Sequence, residues 1–387
     1  MSRFTLDGRA LAHNLALARE WAPRGARVRP MVKADAYGHG LRELVGVFAE
    51  HADELGVATL EEGLDLRLWL APDVDAPIFL ASGDKRWDDP EYLDAAREAR
   101  LVPAVSSLDE LRLLVDRVGR AAPFDVELKL DSGMGRLGIR ESTLGDVAAI
   151  VSSAKGVRIV GLMTHYASSD EEDLEATRQQ DEKFRRMLAR LPEEAVRAVP
   201  VHSCNSGALM QRALGHTDIA AGTAVVRPGV MLYGAAPSKW LHETPAGDRL
   251  RPVGRWTTRV IELKTMDPGD AVGYGGTWKV EGDHPVRVAV LRVGYADGYR
   301  RIMGNRTRVL IRGGSFPVIG RVSMDLVSVL VNDGVRVGDE AVLLGSQDGE
   351  LGSDTSPAWE RCELCETIPY EIWTSIGPRV KRLLASE

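Results

Sequence analysis

The strongest constraint on the fold is a rhythm. Between about residues 28 and 235, short β-rich apolar runs alternate with amphipathic segments of helical period. The runs lie near residues 28–32, 55–60, 76–81, 101–105, 124–130, 157–164, 201–203 and 225–233. Between most of them fall stretches such as LRELVGVFAEHA, LEEGLDLRLWL, SLDELRLLVDRVG and TRQQDEKFRRMLARL. Roughly eight βα repeats in about 210 residues fit a (β/α)8 barrel better than an open doubly wound sheet. After Pro237 the rhythm stops. Runs such as RWTTRVIELKTM, VRVAVLRVGY and RTRVLIRGGSFPVIGRVSMDLVSVLV are punctuated by Pro-Gly-Asp and Gly-Gly turns. They predict an all-β domain, a small barrel or sandwich. The expected organisation is thus α/β, with a barrel over residues 1–237 and a mainly-β domain over 238–387. One helix is expected at about 356–366 and another at 6–21, and the first few residues are free to pair with the β domain.

Charge and composition exclude several classes. The net charge of −7 argues against a nucleic-acid or anionic-membrane partner. No stretch approaches the roughly 20 apolar residues of a membrane span, and the N-terminus lacks a signal-peptide core. A cytoplasmic protein is expected. Three cysteines make no disulfide framework. Cys362 and Cys365 form a CxxC, but no nearby Cys or His completes a zinc set, so no metal centre is expected. Helical spacing reads them as two thiols on one helix face.

Candidate chemistry gathers at the ends of the predicted barrel strands, where such barrels carry their sites. Lys33, in MVKADAYGHG, is either a Schiff-base lysine or a lysine paired at the surface. The stretch KLDSGMGRLG holds a literal GxGxxG at Gly133, Gly135 and Gly138. Its context fails a dinucleotide site, because no helix opens on the glycines and no acid ends the next strand. Alternation puts Glu127, Lys129 and Asp131 in phase, with Arg136 close by: a carboxylate-binding cluster or a solvated ion-pair network. His165 is placed either to stack on a planar cofactor or to hydrogen-bond in the core. Asn205-Ser206 reads as a phosphate-binding turn or a helix cap. Arg227-Pro228-Gly229-Val230 supplies a second glycine turn. Together these groups are the inventory of a pyridoxal phosphate site. Tyr274 and Tyr295 stand in glycine-rich turns of the β domain, as packing residues or as acid/base groups.

Nine motifs in order give a resemblance that covers essentially the whole chain: MVKADAYGHG, KLDSGMGRLG, MTHYASSDE, HSCNSGAL, VRPGVMLYG, VGYGGTW, VGYADGYRR, GRVSMD and TIPYEI. The chain resembles the alanine racemases, pyridoxal-phosphate enzymes of fold type III. The resemblance implies a homodimer with shared active sites, acting on a small amino acid and supplying D-alanine for peptidoglycan. It implies that Lys33 holds the cofactor, that Tyr37, Ser206, Gly229 and Val230 serve its phosphate, that Asn205 is a further cofactor-binding residue, and that His165 packs near the ring and hydrogen-bonds Arg227. Arg227 would face the pyridine nitrogen. Lys33 and the partner subunit's Tyr274 would be the two bases, with Arg136 binding the substrate carboxylate. Lys129 is the position relatives carbamylate to fix that arginine. Tyr295, Met324 and Asp325 would complete the substrate end. Two departures stand out: a longer loop at 213–224, and Pro378 where some relatives carry a phosphate-contacting tyrosine. A related decarboxylase would carry Cys-Asp where this chain has Ser323-Met324-Asp325, and single-domain pyridoxal-phosphate binding proteins lack the β domain altogether.

Overall fold

A computed structural model describes residues 2–72, 74, 76–82, 86–118, 123–153, 156–194 and 199–385. The chain forms two compact units. One comprises Ala12–Ala36 and Val45–Leu250; the other comprises Met1–Leu11, Tyr37–Leu44 and Arg251–Glu387.

Strand β1 (Arg3–Leu6) belongs to the second unit. Among the described residues the first unit holds eight parallel strands: β2 (Arg27–Val28), β3 (Leu55–Val57), β4 (Ile78–Leu80), β5 (Leu101–Val105), β6 (Phe124–Lys129), β7 (Val157–Met163), β8 (Val201–His202) and β9 (Val225–Val226). Six of them, β3 to β8, pair in chain order, and β2 pairs with β9. Bridges between Met31 and Gly56 and between Cys204 and Val226 close the ring. This is the barrel expected from the rhythm. Strands β3, β4 and β5 are buried along their whole length, which explains their unbroken apolar character.

Intervening helices begin where the sequence supplies caps. Thr59 accepts from Glu62 N at the start of Leu60–Trp69. Asp89 caps Pro90–Glu98 with proline in the first turn. The helix Leu108–Val118 buries Leu111, Leu114 and Val118, one stripe at helical spacing. Burying each such side chain contributes roughly 1.5–3 kcal/mol.

The second unit is built on β10 (Gly254–Met266), β11 (Ala271–Val272), β12 (Trp278–Lys279), β13 (Val286–Leu291), β14 (Arg308–Ile311), β15 (Gly314–Ile319), β16 (Val327–Val331), β17 (Glu340–Gly349), β18 (Gly352–Ser356) and β19 (Lys381–Leu384). Strands run in the order β17-β14-β15-β16-β13-β10, and β10 pairs back onto β17, closing a second barrel. The 13-residue length of β10 lets it meet β17 at one end and β13 at the other. β1 lies antiparallel to β10 and parallel to β19, so the first residues do join the β unit. The helix Ala358–Cys365 carries both CxxC thiols into the interior. Burial pushes Cys362 up to about 12, which keeps it protonated and unreactive. Among the described residues, no helix is long and apolar enough to cross a membrane.

Candidate active site

Every candidate of the first unit stands after, or at the end of, a barrel strand. Lys33 opens a turn in which Ala34, Asp35, Ala36 and Tyr37 all take left-handed backbone angles, with φ between 51° and 56°. Each such non-glycine residue costs about 1–2 kcal/mol, so the turn is held by something else. Glu62 is one clamp: its two carboxylate oxygens accept from Ala34 N and Ala58 N, both at 2.7 Å. Ala36 N also donates to Val32 O at 2.9 Å. Lys33 is half-buried. Burial foremost, and then the charge of Arg136, hold its amine below the ordinary lysine range, while Glu62 opposes them.

Within the β unit the same stretch continues as Tyr37, buried against Tyr370 at 5.6 Å. His39 is fully buried between Phe4 and Trp373, as befits a residue of the Gly38–Gly40 turn rather than of a site. A Cβ at Gly38 would collide with the Trp373 carbonyl, so glycine is required there.

Lys129 ends β6 and is buried. The next loop returns on itself: Asp131 Oδ1 accepts from Gly133 N at 3.2 Å and from Gly135 N at 2.9 Å. A Cβ on Gly138 would lie 2.6 Å from Asp131 N. The three glycines therefore serve a tight loop that presents Arg136, and Asp131 is its brace rather than a member of a charge cluster. Among the described residues neither Lys33 nor Arg136 lies within ion-pair distance of a carboxylate.

His165 follows β7. Burial, and then Arg227, Lys129, Arg136 and Lys33, push its imidazole down to about 3. A single neutral ring thus feels four cationic side chains from three strand ends, Lys33 after β2, Lys129 and Arg136 at and after the end of β6, and Arg227 after β9, which is the clearest sign that the candidates converge. Gln180 fixes the backbone there, donating to His165 O at 2.8 Å and accepting from Ala167 N at 2.9 Å.

Asn205 caps the helix Ser206–Ala213 by accepting from Ala208 N at 3.0 Å, and it accepts from Ser169 Oγ at 2.8 Å. Ser206 Oγ accepts from Gly229 N at 2.8 Å, so the two turns read as phosphate-compatible are joined. Val230 is buried and begins a short 3-10 turn, Val230–Tyr233. Arg227 is buried too, but its hydrogen bonds do not go to His165 as the resemblance implied. Nη1 pairs with His202 Nδ1, and Nη2 donates to the Thr164 carbonyl at 2.8 Å. The long loop after Ala213 is closed by Arg212, whose Nη1 donates to Thr217 O at 2.7 Å and to Ile219 O at 3.0 Å.

The β unit presents its candidates on turns. Tyr274 is 71% exposed in a turn flanked by Gly273, Gly275 and Gly276, all with positive φ. Tyr295 N donates to Ser323 O at 3.1 Å and Ala296 N to Met324 O at 3.0 Å, tying the Tyr295 and Met324 loops together. Asp325 pairs with Arg379 Nη2 at 2.8 Å, and Arg379 Nε lies 3.2 Å from Asp297. Pro378 immediately precedes that arginine. Tyr274, Tyr295 and Met324 are among the large apolar side chains left exposed.

Sequence reading missed a further set inside the barrel: Arg29, Glu54, Glu127 and His202, all buried and mutually paired. The one available signal was that Glu127 fell in phase with Lys129.

Comparison with known proteins agrees over the whole chain. Residues 6–237 match the model of the alanine racemase N-terminal domain, and residues 253–384 that of the alanine racemase C-terminal domain. An alanine racemase of Syntrophobacter fumaroxidans is 38% identical, across 96% of this chain and 94% of its own. One from Sorangium cellulosum is 38% identical across 91% and 90%. Among solved structures, alanine racemase from D-cycloserine-producing Streptomyces lavendulae superposes with a TM-score of 0.87 at 30% identity, covering 100% of this chain and 97% of that one. The Bacillus anthracis enzyme with bound L-Ala-P gives 0.86 at 28% identity, over 98% and 93%.

Proposed function

The chain belongs to the alanine racemase family, and from that premise we propose that it interconverts L- and D-alanine with pyridoxal phosphate, by a two-base mechanism in a homodimer. The observation that carries this reading is the convergence on His165 of four cations, one of them the depressed amine of Lys33. The donor set suits the cofactor: an amine poised to lose its proton, a neutral imidazole, a buried guanidinium, and a capped helix start tied to a glycine turn.

When bound, pyridoxal phosphate supplies the electron sink that lets an amino-acid α-proton depart. Lys33 would hold it covalently, Tyr37, Ser206, Gly229 and Val230 would receive its phosphate with Asn205 beside them, His165 would pack near the ring, and Arg227 would face the pyridine nitrogen. Arg136 binds the substrate carboxylate, with Lys129 behind it as a carbamate. On one face the Lys33 amine would take the α-proton of D-alanine and return one to make it. On the other face the partner subunit's Tyr274 does the same for L-alanine, so each direction has a base on one side and an acid on the other. Tyr295 of the partner subunit, Met324 of the partner subunit and Asp325 of the partner subunit close the substrate end. The product serves peptidoglycan synthesis in the cytoplasm.

The test uses α-proton exchange in deuterium oxide. Wild-type protein should racemise both enantiomers and label both. Tyr274→Phe should lose about 10²–10⁴-fold in racemisation, yet still exchange the α-proton of D-alanine with retention through Lys33. Equal loss of both exchanges, or racemisation left intact, contradicts the two-base assignment.

A further inference from the structure

We infer that Glu127 is a positioning residue for the reaction: acting through His202, it fixes the charge and orientation of Arg227. The inference rests on the reading of Arg227 as the group that faces the cofactor's pyridine nitrogen.

The interior of a (β/α)8 barrel is ordinarily filled by branched apolar side chains. Here a line of ionisable groups runs through it instead. Glu54 Oε2 accepts from Arg29 Nε at 2.5 Å. Arg29 Nη2 donates to Glu127 Oε1 at 2.7 Å and Nη1 to Glu127 Oε2 at 3.1 Å. His202 Nε2 lies 2.8 Å from Glu127 Oε2, and His202 Nδ1 meets Arg227 Nη1. Arg227 ends the line on the Thr164 carbonyl. Phe79 walls one side, with the Arg29 guanidinium 4.5 Å above its ring and the His202 ring at its edge. Buried ion networks of this kind add little net stability compared with apolar packing, so their presence calls for another role.

Hydrogen-bond chemistry leaves His202 one state. A guanidinium only donates, so His202 Nδ1 must offer its lone pair to Arg227. The ring proton then sits on Nε2 and is donated to Glu127. A neutral imidazole in this tautomer, pulled by a carboxylate on one side, becomes a stronger acceptor on the other. The negative charge of Glu127 is thereby felt at Arg227 without touching it. Burial works against a charged Arg227, pushing it down to about 10, and Glu127 opposes that push. Burial likewise keeps His202 neutral, down to about 4, although Glu127 pulls the other way.

The backbone is shaped to seat this carboxylate. The pairing of β6 with β7 slips by one residue between Val126 and Glu127. Opposite Glu127 stands Gly161, where a Cβ would lie 2.7 Å from Glu127 Cδ and 2.8 Å from its Oε1. Gly161 has an ordinary backbone φ, so the glycine serves space and not conformation. A bulge and a missing side chain both make room for one buried acid.

The test combines unmodified and substituted holoenzyme of the full chain. In ¹⁵N-histidine-labelled wild type, His202 should show a protonated Nε2 and an unprotonated Nδ1 from about pH 8 to about pH 6. An Nδ1-protonated or doubly protonated ring overturns the inference. Glu127→Gln removes the charge, and Gly161→Ala displaces the carboxylate without removing it. Both should shift the visible absorption of the lysine-bound cofactor and lower kcat by about ten-fold or more, with Glu127→Asp falling between them and wild type. If Glu127→Gln does not fold, Gly161→Ala and the wild-type resonances decide. Cofactor absorption and kcat unchanged in a folded Glu127→Gln or Gly161→Ala protein overturn the inference while leaving the racemase reading intact. A wild type that binds no pyridoxal phosphate defeats that reading itself.

Discussion

Both units bury arginine, and Arg361 of one and Arg29 of the other are satisfied in opposite ways. Arg361, 2% exposed in the β unit, is held by neutral acceptors. Nε donates to Leu343 O at 2.9 Å, Nη2 to Arg308 O at 2.9 Å and to Ser356 Oγ at 3.0 Å, and Nη1 to Tyr299 OH at 3.2 Å. Its guanidinium also sits 5.4 Å from the Tyr299 ring. Among the described residues no carboxylate pairs with it. Arg29 in the first unit instead pairs with Glu54 and with Glu127, and Glu127 continues through His202 to Arg227. A cation satisfied by carbonyls braces strands together. A cation linked to groups that titrate becomes part of an electrostatic device. On the inference drawn above, the difference would separate a structural guanidinium from a functional one.

Three experiments test how far that separation holds. The largest effect is expected from Arg361→Met, which removes the hydrogen bonds to Leu343 O, Arg308 O, Ser356 Oγ and Tyr299 OH. It should destabilise the fold by about 3 kcal/mol, while the folded fraction keeps wild-type cofactor absorption and kcat. A change in absorption would show that Arg361 reaches the site after all. Acidification should act next, through His202. Its ring is held to about 4 in the fold against 6.5 in an unfolded chain. The unfolded state therefore binds protons that the folded state refuses, and stability falls as pH drops through the window from 6.5 to about 4. At pH 5.5 the loss from His202 alone should be about 1 kcal/mol, and His165 adds to it in the same direction. A Tm flat between pH 7 and 5.5 would contradict a neutral buried His202.

The smallest effect concerns the amine itself. Covalent capture of pyridoxal phosphate by the apoprotein needs neutral Lys33, and its pH midpoint should lie below that of an ordinary lysine. Arg136→Met removes a positive charge and should move the midpoint up. Glu62→Gln removes a negative one and should move it down. Shifts in the same direction would show that packing of the strained turn, and not charge, sets the reactivity of Lys33.

Much of this architecture was legible in the chain. The βα rhythm foretold eight strands because each strand and each helix writes its own period over a short window. The candidates at strand ends, Lys33, Arg136, His165 and Arg227, were legible because local motifs carry them. What escaped was pairing across the barrel: Arg29 meets Glu127 and His202 meets Glu127 over sequence separations of 98 and 75 residues. No local pattern encodes such contacts. Asp131 looked like a charged neighbour of Lys129, yet its carboxylate is spent on Gly133 and Gly135. The left-handed turn at Ala34–Tyr37 also gave no sign, since neither alanine nor tyrosine advertises a positive φ. The strain is tolerated because Glu62, remote in sequence, holds the turn from outside.

Lys33 is the residue proposed to carry the cofactor, and everything else assigned to the site depends on it. Purified protein reconstituted with pyridoxal phosphate should be yellow, should lose that colour on borohydride reduction, and should yield a single pyridoxyl-labelled peptide with the label on Lys33. Before reduction it should racemise alanine; afterwards it should not. A colourless protein, or a label on any other lysine with racemisation intact, would contradict the account.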